Sequence, residues 1–156
     1  IQHRKRIYPD KCVSCAECIA FCDYGAISVN WSALSRDVCQ GVIDAANAVL
    51  STFKPGKYTF MNLGFDITEE CDCGGGSRVP VVTDLGILTS SDPVAVDMAA
   101  AEKINKQVIY PGGPFSRFTT QEDRISAAKP DVDWKAFLAL AHDSGLGEIS
   151  YQMKMN

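Results

Sequence analysis

The 156-residue sequence predicts an α/β protein, with α+β as the alternative: a small cysteine-rich module joined to a larger domain of mixed helices and strands. Two observations lead there. Four cysteines crowd into "KCVSCAECIAFCDYG" (residues 11–25), and from Trp31 onward helical periodicity alternates with short β-like runs. The boundaries expected from this change of character are 1–30 for the module and 31–156 for the mixed domain.

Taken in chain order, the module closes on a strand-like "AISV" (Ala26 to Val29). In "WSALSRDVCQGVIDAANAVLSTF", Leu34, Val38, Val42, Ala45, Val49 and Phe53 recur every three or four residues, which predicts an amphipathic helix with that stripe toward the core. "KPG" (Lys54 to Gly56) stops it. "KYTFMNLGFDI" is apolar on both alternating sets and reads as a buried strand. A polar, glycine-rich loop follows from Thr68 to Arg78, then a second strand or strand–turn within Val79 to Leu88.

The best-marked helix start is "SSDPVAVDMAAAEKINK". Asp92 is placed to accept a backbone N–H as N-cap, and Pro93 suits the first helical position. That helix is apolar nearly all round and is expected to be buried. A loop runs from Tyr110 to Phe118. A third helix then begins near Asp131 or Asp133 and ends near Gly145, and "EISYQMK" reads as a closing short strand.

Composition narrows the function classes. Hydrophobic residues make up 46% and charged residues 22%, which suits a globular protein with a real core. The net charge of −4 gives no reason to expect nucleic acid as a partner. The short basic cluster His3-Arg4-Lys5-Arg6 reads as a solvated lead-in, with a docking patch for an acidic partner as the alternative. No stretch reaches the ~20 apolar residues of a membrane helix. Seven cysteines is an odd number, against a closed disulfide framework and toward metal binding in a reducing, cytoplasmic setting. Ile1 in first position, in place of methionine, points to a processed or truncated piece of a longer protein.

Cys12, Cys15, Cys18 and Cys22 follow the spacing C-x2-C-x2-C-x3-C, the ligand run of a [4Fe–4S] cluster. Thiolates two residues apart on a tight loop can each take a different iron of one cube. A zinc site would use two C-x2-C pairs and leave the third cysteine without a role; a buried structural cysteine cluster is the blander alternative. By ferredoxin logic Cys12, Cys15 and Cys18 bind one cluster while Cys22 reaches a neighbouring one, so one or two clusters are expected. Asp23 stands where proline usually follows such a run. The module thus reads as the second half of a two-run, ferredoxin-like unit.

A second cysteine pair, Cys71 and Cys73, brackets Asp72 in "ECDCGGGS". In an extended segment both side chains point the same way, which suits chelation. Ligands for a metal or cluster, a redox-active thiol pair, and unliganded structural cysteines all remain open. Asp84 and Asp97 are further candidates. Asp97 stands among apolar residues of a helix, where a carboxylate must find a partner or shift its pKa. Cys39 reads as a small core residue, and His142 as a complement to a helix C-terminus.

The order "KCVSCAECIAFCDYGAI", "NW", "CDC", "VTDLGILTSSDPVAVDMA" and "GLGEISY" resembles the C-terminal part of the domain-of-unknown-function family 362, from Lys11 to Tyr151. Its most specific stretches are Cys71 to Cys73 and Asp84 to Asp97. Members of that family often carry two ferredoxin runs inserted in a larger α/β domain, and this chain matches the second. The resemblance implies a cofactor and not a substrate. The expected function is iron–sulfur electron transfer, the partner being a redox protein or a missing N-terminal portion of the same protein. The alternative is a redox enzyme or metal-handling protein with its site at Cys71-Asp72-Cys73 and the nearby aspartates.

Overall fold

The computed structural model describes residues 8–13, 15–27, 36–70, 78–117, 123–130 and 132–154. The chain divides into two compact units, Ile1–Ser35 and Arg36–Asn156. The smaller holds a 3-10 turn, Pro9–Lys11, and one short helix, α1 (Glu17–Ala20). The larger runs α2 (Arg36–Leu50), β1 (Phe60–Gly64), β2 (Gly86–Ser90), α3 (Pro93–Lys106), a 3-10 turn (Pro114–Arg117), α4 (Arg124–Ala128) and α5 (Trp134–Asp143). Mixed helix and strand is the class the sequence predicts. The two strands pair antiparallel, with Phe60 opposite Ser90 and Gly64 opposite Gly86.

α3 is the hub, because it packs against both strands and against α4 and α5. Its start follows from chemistry legible in the sequence: the Asp92 carboxylate accepts the Ala95 N–H at 2.9 Å, and Pro93 opens the first turn. Asp92 also accepts the Glu148 N–H at 2.8 Å, tying the segment after α5 to the start of α3. That approach requires Gly147, since a Cβ there would collide with the Asp92 carboxylate. α5 is capped in the same way by Asp133, which accepts from Ala136 N–H at 2.9 Å.

Two apolar cores form. Ile43, Val94, Leu138 and Ala141 join α2, α3 and α5, with Met98, Trp134 and Phe137 packed around them. Val81, Val82 and Phe115 form the second, flanked by Ile67 and Ile109. Each fully buried Val, Leu or Ile contributes ~1.5–3 kcal/mol by leaving water.

The last turn of α3 is closed by a buried cation. Arg124 is 1% exposed, and its Nη1 donates to Ile104 O (3.1 Å) and Gln107 O (2.7 Å). It satisfies carbonyls that a helix end leaves unpaired and places positive charge at the negative pole of the helix. Asp123 caps α4 through Ser126 N–H (3.2 Å), accepts from the Trp134 indole (3.1 Å) and pairs with Lys135 (2.7 Å). Partial burial pushes this carboxyl upward, but Lys135, Ser126 and Trp134 outweigh that and bring its pKa down to about 2.

Three sequence expectations are corrected. The stripe named from periodicity faces outward, with Val38, Val42 and Val49 of α2 and Phe53 just after it about half exposed or more. The packed face carries Ile43, with Cys39, Ala46 and Leu50 half-buried on either side. Both faces are apolar, and only the partner α5 decides which one packs. β1 is not buried on both sides: Phe60 and Asn62 are half-buried and Gly64 is buried, while Met61 and Leu63 stand out with Ile87 of β2. α3 is buried or half-buried along most of its length, as its apolar composition predicts, and only Asp97 and Lys106 are exposed. The segment 148–154 forms no strand. The expected strand at Ala26 to Val29 and the helix residues Trp31 and Leu34 lie partly or wholly outside the described residues.

Candidate metal centre

The cysteine run is shaped by two left-handed residues. Ala16 (φ 59°) precedes α1, and Gly25 (φ 58°) turns the chain after Cys22. α1 carries Cys18, and its exit is tied by Phe21 N–H to Glu17 O (3.0 Å) and Cys22 N–H to Ile19 O (3.3 Å). Gly25 N–H then returns to Cys22 O at 3.1 Å. This turn brings the next amide onto sulfur: Ala26 N–H donates to Cys22 Sγ at 3.3 Å.

All four cysteines are free thiols; Cys12, Cys15 and Cys18 are exposed and Cys22 is half-buried. The Ala26 N–H, then that of Tyr24, lowers the Cys22 pKa against the opposing effect of burial. Amide donation of this kind favours thiolate, the form that binds metal. Sequence reasoning missed Ala26 as a contributor; its signal is the "GAI" that closes the run.

Among the described residues no three or more His, Cys, Asp or Glu side chains gather tightly enough to hold a single metal ion. Ligands of a cube differ from ligands of one ion, because each thiolate binds its own iron and the sulfurs stand further apart. What the residues show is the spacing of a [4Fe–4S] ligand run, with an amide N–H donated to its fourth sulfur.

Cys71, Asp72 and Cys73 lie outside the described residues. On one side of that stretch Glu70 pairs with Lys129, whose ammonium lowers the Glu70 pKa by hydrogen bonding and by charge. Glu69, Arg78, Val79, Tyr110, Gly112 and Gly113 line a cavity of about 390 Å³. The two aspartate candidates have structural partners. Exposed Asp84 accepts the N–H of Asp66, a residue held at φ 48°, at 3.1 Å. Exposed Asp97 accepts from Asn62 Nδ2 at 2.8 Å, so it finds its partner across the α3–β1 contact. His142 Nδ1 lies 2.9 Å from Gly147 O and 3.4 Å from Glu148, just beyond the end of α5.

The profile of DUF362, a domain of unknown function, matches residues 6–102. The chain belongs to the DUF362 family. The match takes in the cysteine run, both strands and most of α3, and ends before α4 and α5. No curated protein and no solved structure matches the chain. Among the described residues, no helix of this DUF362 chain is long and apolar enough to cross a membrane.

Proposed function

We propose that this DUF362 chain is an iron–sulfur electron-transfer protein whose N-terminal unit is a ferredoxin-like module. The observation that carries the reading is the C-x2-C-x2-C-x3-C run, in which the fourth sulfur already receives an amide N–H. Cys12, Cys15 and Cys18 would hold one [4Fe–4S] cluster, and Cys22 would reach a second whose other ligands lie elsewhere. A bound cluster supplies one-electron redox chemistry. The chain's own part is to present thiolates and to lower electron density on sulfur by amide donation, which sets potential.

A second reading places a redox or metal-handling site at Cys71-Asp72-Cys73. It draws support from the cavity lined by Glu69 and Arg78, which lead into and out of that stretch.

Anaerobic purification with iron and sulfide counts, followed by EPR of the reduced protein, tests the first reading. The expected result is iron and sulfide in near-equal amounts and a reduced-cluster signal. A colourless protein with stoichiometric zinc would overturn it. Cys71→Ser with Cys73→Ser separates the two readings: the electron-transfer reading expects cluster content and reduction unchanged.

A further inference from the structure

The two-stranded sheet has an edge with a groove beside it. β2 pairs with β1 on one side, and among the described residues no strand pairs with the other. The same strand lines a cavity of about 420 Å³. It is lined by β2 from Ile87 to Ser90, by α3, where Ala95, Ala99 and Lys103 follow at spacings of four, and by the segment Tyr151 to Lys154. Ala95 and Ala99 are small and buried, so on that side α3 contributes little bulk to the cavity. An open edge presents unpaired N–H and C=O groups, a template for another extended chain.

The groove also has a sign. Its lining includes Lys103 and Lys154 and no aspartate or glutamate, in a chain whose net charge is −4. The Lys103 ammonium donates to Leu85 O at 3.0 Å, which uses one of its three donors and fixes the head group near the strand. Edge-to-edge pairing of two copies would set these lysines against their own counterparts, a like-charge arrangement that open edges use to prevent self-association. An acidic strand meets the opposite condition.

We propose that the open edge of β2 receives an extended, acidic segment of a partner polypeptide, which adds to the sheet as a third strand between β2 and Tyr151–Lys154. Backbone hydrogen bonds to Ile87–Ser90 supply the attachment, and the two lysines select for carboxylates on the incoming strand.

Fluorescence anisotropy on the full chain tests this with three labelled eight-residue peptides. One alternates valine and glutamate, one alternates valine and lysine, and one is the glutamate peptide with its central valines replaced by proline. The glutamate peptide should bind, weakening as salt rises, with the lysine and proline peptides at least ten-fold weaker. Lys154→Glu, at an exposed position with no fold to disturb, should lower the glutamate peptide's affinity several-fold while circular dichroism stays unchanged. Equal binding of the two charged peptides would overturn the charge selection. Undiminished binding of the proline peptide would overturn strand addition. Displacement by millimolar inorganic phosphate alone would make the groove a simple anion pocket. A concentration-dependent dimer that excludes the peptide would assign the edge to a second copy of the chain.

Discussion

The two units of the chain differ in what holds them. In residues 8–27 no described side chain is buried; Val13, Phe21 and Tyr24 are 82%, 79% and 93% exposed. The order there comes from short-range backbone bonds around α1, a helix of four residues, far shorter than can stand alone in water. Residues 36–156 carry two apolar cores, three aspartate-capped helices and a buried arginine closing α3. A segment whose described residues bury no side chain draws its folding energy from elsewhere, and bound metal is a usual source for so small a unit. The larger unit has cores of its own. On the proposed reading, the cluster would be structural for residues 8–27 and would leave the cores of the larger unit unaffected.

The sharpest way to break this contrast is to remove a ligand. Cys15→Ser should abolish most of the bound iron and make the N-terminal residues sensitive to protease, while the thermal transition of the larger unit stays where it was. Full iron retention would end the cluster assignment, and a joint fall of both would end the contrast. Next in size is Leu138→Ala in the core shared by α2, α3 and α5. It should destabilise the larger unit by ~3 kcal/mol in urea titration, with iron content unchanged below the transition. A loss under ~1 kcal/mol would show that the site collapses freely.

Acid distinguishes the units again. Asp123 has a folded pKa of about 2 against an ordinary 3.8, so the unfolded chain takes up the proton first as pH falls. Its stabilisation is complete above about pH 4 and drains away toward pH 2, ~2 kcal/mol over that window. Asp123→Asn should flatten the acid limb of the stability curve, and an unchanged limb would remove Asp123 from the account. The smallest effect contrasts neighbours on α2. Val42→Ser, at a position 55% exposed, should change stability by no more than ~0.5 kcal/mol. Ile43→Val should cost ~1 kcal/mol, because Ile43 is fully buried. Reversed magnitudes would mean that the outward face of α2 is covered in solution.

The difference between Val42 and Ile43 also marks where sequence reasoning stops. The helix itself was legible from its period, but its inward face was not, since Val38, Val42 and Val49 repeat as regularly as Cys39, Ile43 and Leu50. Periodicity reports that a stripe exists; burial is assigned by the partner, here α5, nearly a hundred residues on. β1 misleads in the same way, since Met61 and Leu63 are apolar yet exposed. By contrast, Asp92-Pro93 and Asp133 announce their helices because capping is a contact between residues three apart. α4 stayed hidden: five residues are too few to show a period, and its cap Asp123 draws much of its support from Trp134 and Lys135. In the candidate site the thiol spacing was legible, whereas the amide that reaches Cys22 depends on a turn that Gly25 makes.

Two glycines after α5, two residues apart, differ in what they forbid. Gly145 sits at φ 74° with open space where a Cβ would go, and Gly147 faces the Asp92 carboxylate with no space at all. In a saturation library the first position should accept asparagine and aspartate, which tolerate a left-handed backbone. The second should accept nothing but glycine, and loss there should be rescued only by shortening Asp92. The pair of positions 92 and 147, fifty-five residues apart, should therefore change together or not at all, leaving a covariation mark that the composition of either segment alone would never suggest.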